Sequence, residues 1–215
     1  MSLERTEEEQ VEALKAWFRK NGSALIFGLA FGLAAIGGYR FWNDYQLGQS
    51  QQASLAYTSL QNHLIAADAA KVFAEGEQLV KHFPGTPYAA LASLGMARMS
   101  VESGSLDAAE VHLRWVIDNA DQEGMQHIAR LRLARVLAAE KKYDDALKLV
   151  NGSGQGSYAS LYSEIRGDIL AALEQPAQAR SAYRKALDTL LDNDQRRPYI
   201  EMKLDELPAA ESAQG

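Results

Sequence analysis

The sequence predicts an all-α protein, a single N-terminal transmembrane helix followed by a right-handed superhelix of paired helices. Three observations carry this reading. Ala and Leu are abundant while Pro occurs only 5 times in 215 residues, a balance that favours helices over strands. Residues 21–39 run without a charge between Lys20 and Arg40. A helix-turn-helix pattern then recurs through the second half of the chain.

A chain of this length holds an anchor and one domain large enough to bury a core. Its 22 basic and 28 acidic residues give a net charge of -6, so no basic footprint points to nucleic acid as a partner. The absence of cysteine excludes disulfides, Cys-ligated metal sites and thiol nucleophiles.

Residues 1–20 read as a cytoplasmic amphipathic segment. Thr6 and Glu9 have capping-box spacing, and Val11, Leu14, Trp17 and Phe18 fall on one helical face. The segment either lies along the membrane surface or leads straight into the span, with Asn21-Gly22 as a kink. Residues 21–42 read as the transmembrane helix. The uncharged run covers about 28 Å as a helix, and Phe41 and Trp42 extend it to the thickness of a bilayer core. Arg19 and Lys20 before it, with Tyr39, Arg40, Phe41 and Trp42 at its end, supply interfacial anchors that a buried core helix would not need.

A cleaved export signal fits less well. Ala35-Ile36-Gly37 imitates a cleavage site, but the segment before the run is long and carries Glu4, Glu7, Glu8, Glu9 and Glu12 where a signal has a short basic region. Arg5, Lys15, Arg19 and Lys20 precede the span and Arg40 alone follows it before Lys71, which keeps the N-terminus in the cytoplasm and exports the rest. In a Gram-negative cell that compartment is the periplasm. Within the span Ala24, Gly28 and Gly32 recur every four residues, a smooth stripe and so a candidate docking face for another membrane helix.

Residues 43–207 read as the exported repeat domain. Its segments "ALASLGMARMSVESGSLDAAEVHLRWVI", "IARLRLARVLAAEKKYDDALKLV" and "LYSEIRGDILAALEQPAQARSAYRKAL" align on Ala109, Ala146 and Ala179, which lie 37 and 33 residues apart. Those intervals bracket the period of about 34 residues that marks tetratricopeptide repeats, so the superhelix is of that kind. Ala97, Ala134 and Gly167 are small where the two helices of a repeat meet, and Leu106 and Tyr143 cover the turn, with Pro176 in the third unit. Residues 50–64 and 68–82 read as a further pair, closed by the loop from Phe83 to Tyr88. A final helix from Pro198, presenting Tyr199, Met202 and Leu207, would cap the last repeat. Residues 208–215 lack periodicity and read as a disordered tail. The glycine-rich Asn151–Tyr158 reads as a flexible loop, since no strand precedes it and no Lys-Ser/Thr pair follows as phosphate binding requires.

Catalytic patterns are missing. His63, His82, His112 and His127 occur singly, without metal-ligand spacing, and no nucleophile elbow or S-x-x-K pair is present. The reading is therefore not an enzyme, with no catalytic, metal or cofactor-binding residue. The rival from another class is a carboxylate site of Glu164 and Asp168. A binding surface is better supported: Arg98, Arg135 and Asp168 stand at one position of the repeat register, eleven residues before the three aligned alanines, on the first helices that line the inside of such a superhelix. That row is the candidate concave partner-binding face, its arginines able to hold carboxylates. The alternative is that Arg98 and Arg135 pair with Glu102 and Glu140.

Taken together, the chain resembles the YfgM family, the tetratricopeptide-like ancillary subunit of the bacterial SecYEG translocon. The resemblance is carried by "EQVEALKAWFRKNGSALIFGLAFGLAAIGGYRFW" from Glu9, "ASLAY" from Ala53, "AALASL" from Ala89, "LRLARV" from Leu131 and "RGDILAA" from Arg166. It implies a single-pass inner-membrane protein and a non-enzymatic scaffold. Its periplasmic repeats would work beside the translocon with the membrane-anchored chaperone PpiD and with emerging polypeptides. Residues Gly152 to Gly156 are more glycine-rich, and the tail after Leu207 longer, than the resemblance leads one to expect. An anchored adaptor for another envelope machine, in cell division or outer-membrane assembly, shares the same physical features.

Overall fold

The computed structural model describes residues 7–152, 156–191 and 193–208. Thr6, expected from its spacing to Glu9 to cap the helix, and the tail from residue 209 lie outside them. The described residues form α1 (Glu7–Ile65), α2 (Ala69–His82), α3 (Pro87–Glu102), α4 (Leu106–Asn119), α5 (Glu123–Ala139), α6 (Tyr143–Val150), α7 (Ala159–Ala172), α8 (Pro176–Asp188) and α9 (Arg197–Asp205). A single 3-10 turn, Gly156–Tyr158, precedes α7, and no strand occurs among them. The chain divides into two units between Gln49 and Ser50.

The first unit is the N-terminal part of α1. The helix runs through Asn21 and Gly22 without interruption, so the lead-in and the apolar run belong to one element. Asn21 Nδ2 donates to the carbonyl of Trp17 at 3.1 Å, one turn back, which keeps its amide from competing with the helix. The apolar window is long enough to cross a membrane and none of it is buried in the protein. Phe31 is 78% exposed and Phe41 76%. Side chains of this size left in water would each forgo about 1.5–3 kcal/mol of burial, so this is not a core helix.

In the second unit, four helix pairs follow one another: residues 50–65 of α1 with α2, then α3 with α4, α5 with α6 and α7 with α8. The first pair joins through Ala53 and Leu60, which share a buried cluster with Leu79 and Ala92. The aligned Ala109, Ala146 and Ala179 are wholly buried, as is Val72 at the same place in the first pair. Their partners Ala97 and Ala134 are buried too, and a Cβ at Gly167 would run into the Tyr183 ring. Close helix approach therefore explains the small residues.

Every pair closes in the same way. Ala67, Gly104, Lys141 and Glu174 each take a left-handed φ, between 53 and 76 degrees. The following amide then donates back to the helix end: Asp68 to His63 at 3.0 Å, Ser105 to Ser100 at 2.8 Å, Lys142 to Leu137 at 2.8 Å and Gln175 to Leu170 at 2.9 Å. These bonds satisfy carbonyls that a helix terminus otherwise leaves unpaired. The second helix starts two residues after each left-handed residue, at Ala69, Leu106, Tyr143 and Pro176.

One expectation for the final helix needs correction. Tyr199 and Met202 are about half exposed, and the residue buried against α8 is Ile200, with Leu204 and Leu207 beside it. Ile200, Leu204 and Leu207 follow the i, i+4, i+7 stripe of a helix face, which two hits three residues apart cannot distinguish from its neighbour.

Candidate functional site

The first helices of successive repeats touch each other, α3 with α5 and α5 with α7, and so line the tighter face of the stack. The helices α3, α4 and α5 enclose a groove of about 400 Å³. The buried Ala97, Leu113 and Val136 give it an apolar floor, with the exposed Val101 also lining it. Arg98, Arg132, Arg135 and Glu102 form its rim. Helical spacing explains why: Arg132 and Arg135 are three residues apart on α5 and project together, with buried Leu131, Leu133, Ala134 and Val136 between and beside them.

The three arginines differ in their partners. Arg98 Nε donates to Glu102 Oε1 at 2.7 Å, one turn along α3. Among the described residues no carboxylate comes within ion-pair distance of Arg132 or Arg135; the Glu140 carboxylate lies instead 3.1 Å from Lys142. Burial, and then the like charges of Arg135 and Arg98, hold the Arg132 guanidinium below the usual arginine range. Arg132 still stays charged at neutral pH, because guanidinium does not give up its proton there.

Asp168, the third residue of the aligned row, is engaged elsewhere. Lys203 Nζ on α9 donates to Asp168 Oδ1 at 2.8 Å and to Glu164 Oε1 at 3.0 Å. The Tyr183 hydroxyl donates to the same Asp168 oxygen at 2.9 Å, and Arg196 Nη1 stands 3.6 Å from Glu164 Oε2. Burial works against the Lys203 charge, but the hydrogen bonds and charges of Asp168 and Glu164 outweigh it and raise its pKa above the ordinary lysine value. Burial and the Asp168 charge raise the Tyr183 hydroxyl as well. The structure thus brings Arg98 and Arg135 into one groove and turns Asp168, with Glu164, toward the chain's own last helix.

Two features escaped sequence reasoning. Arg132 stands outside the aligned position, although its i, i+3 spacing to Arg135 was available as a signal. Lys203 lies 35 residues beyond Asp168, and no local pattern links them. At the other end of the chain, Ala24 is exposed and a Cβ at Gly28 or Gly32 would meet nothing within 4 Å. The stripe is open to a neighbour. The histidines are dispersed: His63 faces Glu75, His82 bonds Gln78, His112 lies against Phe73, and His127 stacks on Tyr158 at 4.4 Å with Tyr162 at its edge.

Known proteins match over most of the chain. The tetratricopeptide repeat-like domain family matches residues 15–209. A protein of Escherichia coli (strain K12) named ancillary SecYEG translocon subunit is 34% identical over 185 residues, 85% of this chain and 88% of that one. The proteins of the same name in Neisseria gonorrhoeae and Haemophilus influenzae are each 30% identical, over 96% and 86% of this chain and 100% and 91% of their own. The chain belongs to the ancillary SecYEG translocon subunit family, the YfgM family. Members of this family are named for a supporting part at a translocon rather than for a reaction, and the match runs through both the apolar helix and the repeats.

Proposed function

We propose that this YfgM-family chain is a non-enzymatic inner-membrane scaffold at the SecYEG translocon. It links the exit of exported proteins to periplasmic chaperones through its repeat domain. The observation that carries the reading is the near full-length similarity to proteins named ancillary SecYEG translocon subunits, which spans anchor and repeats together. Residues 21–42 hold the chain in the membrane, with Ala24, Gly28 and Gly32 as the face that docks laterally on a membrane partner. The excess of basic residues before the span sets the N-terminus in the cytoplasm and the repeat domain in the periplasm. There the inner face, with Arg98 and Arg135, receives a partner such as the chaperone PpiD or an emerging polypeptide. No reactive group is needed for this, because a repeat array works by surface.

Replacing Gly28 and Gly32 by Leu fills the stripe while preserving the span's hydrophobicity. SecYEG should co-purify with the full chain in mild detergent and fall to a small fraction with this variant, although the variant still inserts. Undiminished co-purification would remove the docking face, and its absence from the parent would remove the translocon assignment. Topology has its own check in a chain without cysteine: in spheroplasts, an impermeant maleimide should label Leu191→Cys, at a 74% exposed site, and spare Glu9→Cys. The opposite pattern contradicts the orientation.

A further inference from the structure

We propose that the groove between α3, α4 and α5 binds an acidic peptide segment, which sets an apolar side chain on the groove floor and carboxylates against Arg132 and Arg135. The inference rests on the scaffold reading and names the chemistry of what the inner face receives.

Two grooves of the molecule carry opposite charge patterns. In the last repeat, α7 offers Glu164 and Asp168, and α9 answers with Lys203 and Arg196, so opposite charges close the gap with the chain's own helix. Glu164 is only 4% exposed there, and the ionic groups are occupied internally. In the α3–α5 groove the register is the same, since Arg98 stands where Asp168 does. The facing helix, however, presents Arg132 and Arg135. Like charges meet where opposite charges would close the groove. The rim has one carboxylate, Glu102, beside three guanidinium groups, and it is already bonded to Arg98.

A cationic rim above an apolar floor selects its occupant. Arginine forks hold carboxylates with paired, charge-assisted hydrogen bonds. The cavity of about 400 Å³ lies in the range that accepts a few side chains. An acidic segment with an apolar residue between its carboxylates satisfies both surfaces, whereas a basic or uncharged segment leaves the like charges of Arg132 and Arg135 unrelieved. Nucleic acid is disfavoured by the net charge of -6.

The test uses the full chain in nanodiscs of neutral lipid and a displayed library of random short peptides. The parent should enrich peptides that combine glutamate or aspartate with leucine, methionine or phenylalanine, relative to empty nanodiscs. For the best of these, made as a fluorescent peptide with an amidated C-terminus, Arg132→Glu with Arg135→Glu should weaken binding about tenfold or more. The same variant panned afresh should select basic peptides. Glu102→Gln, which frees Arg98, should tighten binding several-fold, a gain that misfolding cannot produce. The proposal is overturned if the parent enriches no acidic-apolar class, if the charge-reversed variant selects the same peptides, or if Glu102→Gln fails to tighten binding. Any of these outcomes with SecYEG still co-purifying refutes only the groove, whereas loss of SecYEG from the parent refutes the scaffold reading.

Discussion

At the scale of single residues, the chain uses arginine and histidine in ways that only their surroundings explain. Arg98, Arg132 and Arg135 are ordinary surface residues by composition, and their meaning comes from converging on one apolar floor. Arg98 and Arg135 were legible because the repeat aligns them. Asp168 shares the register, but its partner Lys203 belongs to a helix far along the chain, so the alignment alone could not tell a vacant carboxylate from an occupied one. His112 illustrates a different dependence. It sits half-buried on α4 against the Phe73 ring, and burial lowers its pKa from 6.5, opposed by the charge of Glu77. The folded state therefore binds this proton less readily than the unfolded state does. His112's contribution to stability is complete above pH 6.5 and is lost as pH falls from there toward the lowered native value. Urea melts of the parent and of His112→Gln at a series of pH values should show a stability difference that shrinks on acidification. A difference that stays constant across that window contradicts the assignment.

At the scale of elements, the repeat was readable because helix contacts demand small residues at a fixed interval, as at Ala109, Ala146 and Ala179. The turns were less readable. All four pairs close on a left-handed residue, yet only Gly104 is a glycine; Ala67, Lys141 and Glu174 adopt the same conformation against their preference. The backbone bond that each turn makes holds them there, and such a bond leaves no trace in residue type. An L residue in this conformation loses about 1–2 kcal/mol, part of which a glycine gives back through the entropy of its unfolded chain. Lys141→Gly should therefore stabilise the repeat domain by about 0.5–1 kcal/mol, and Gly104→Ala should destabilise it by a similar amount. Thermal unfolding of the full chain in detergent, followed by circular dichroism, measures both. A destabilising Lys141→Gly would mean that the lysine side chain, not the backbone, secures that turn.

At the scale of the whole molecule, the order of anchor, four helix pairs and closing helix could be read in the sequence because each level repeats one instruction: a long uncharged run for the bilayer, small residues for close helices, and an amphipathic last helix to cover an exposed core. Which face of that last helix turns inward could not be read, since Ile200 and Tyr199 are neighbours and only packing against α8 selects between them. The partner is legible in still less of the chain, because the stripe proposed as a docking face shows where a helix can come close and not which helix would do so. Photo-crosslinking from the span addresses that gap. With a photoreactive amino acid in place of Gly28, irradiation of intact cells and mass spectrometry of the adducts should identify a SecYEG subunit as the neighbouring helix. Adducts confined to proteins of another envelope machine, with none to SecYEG, would contradict the account.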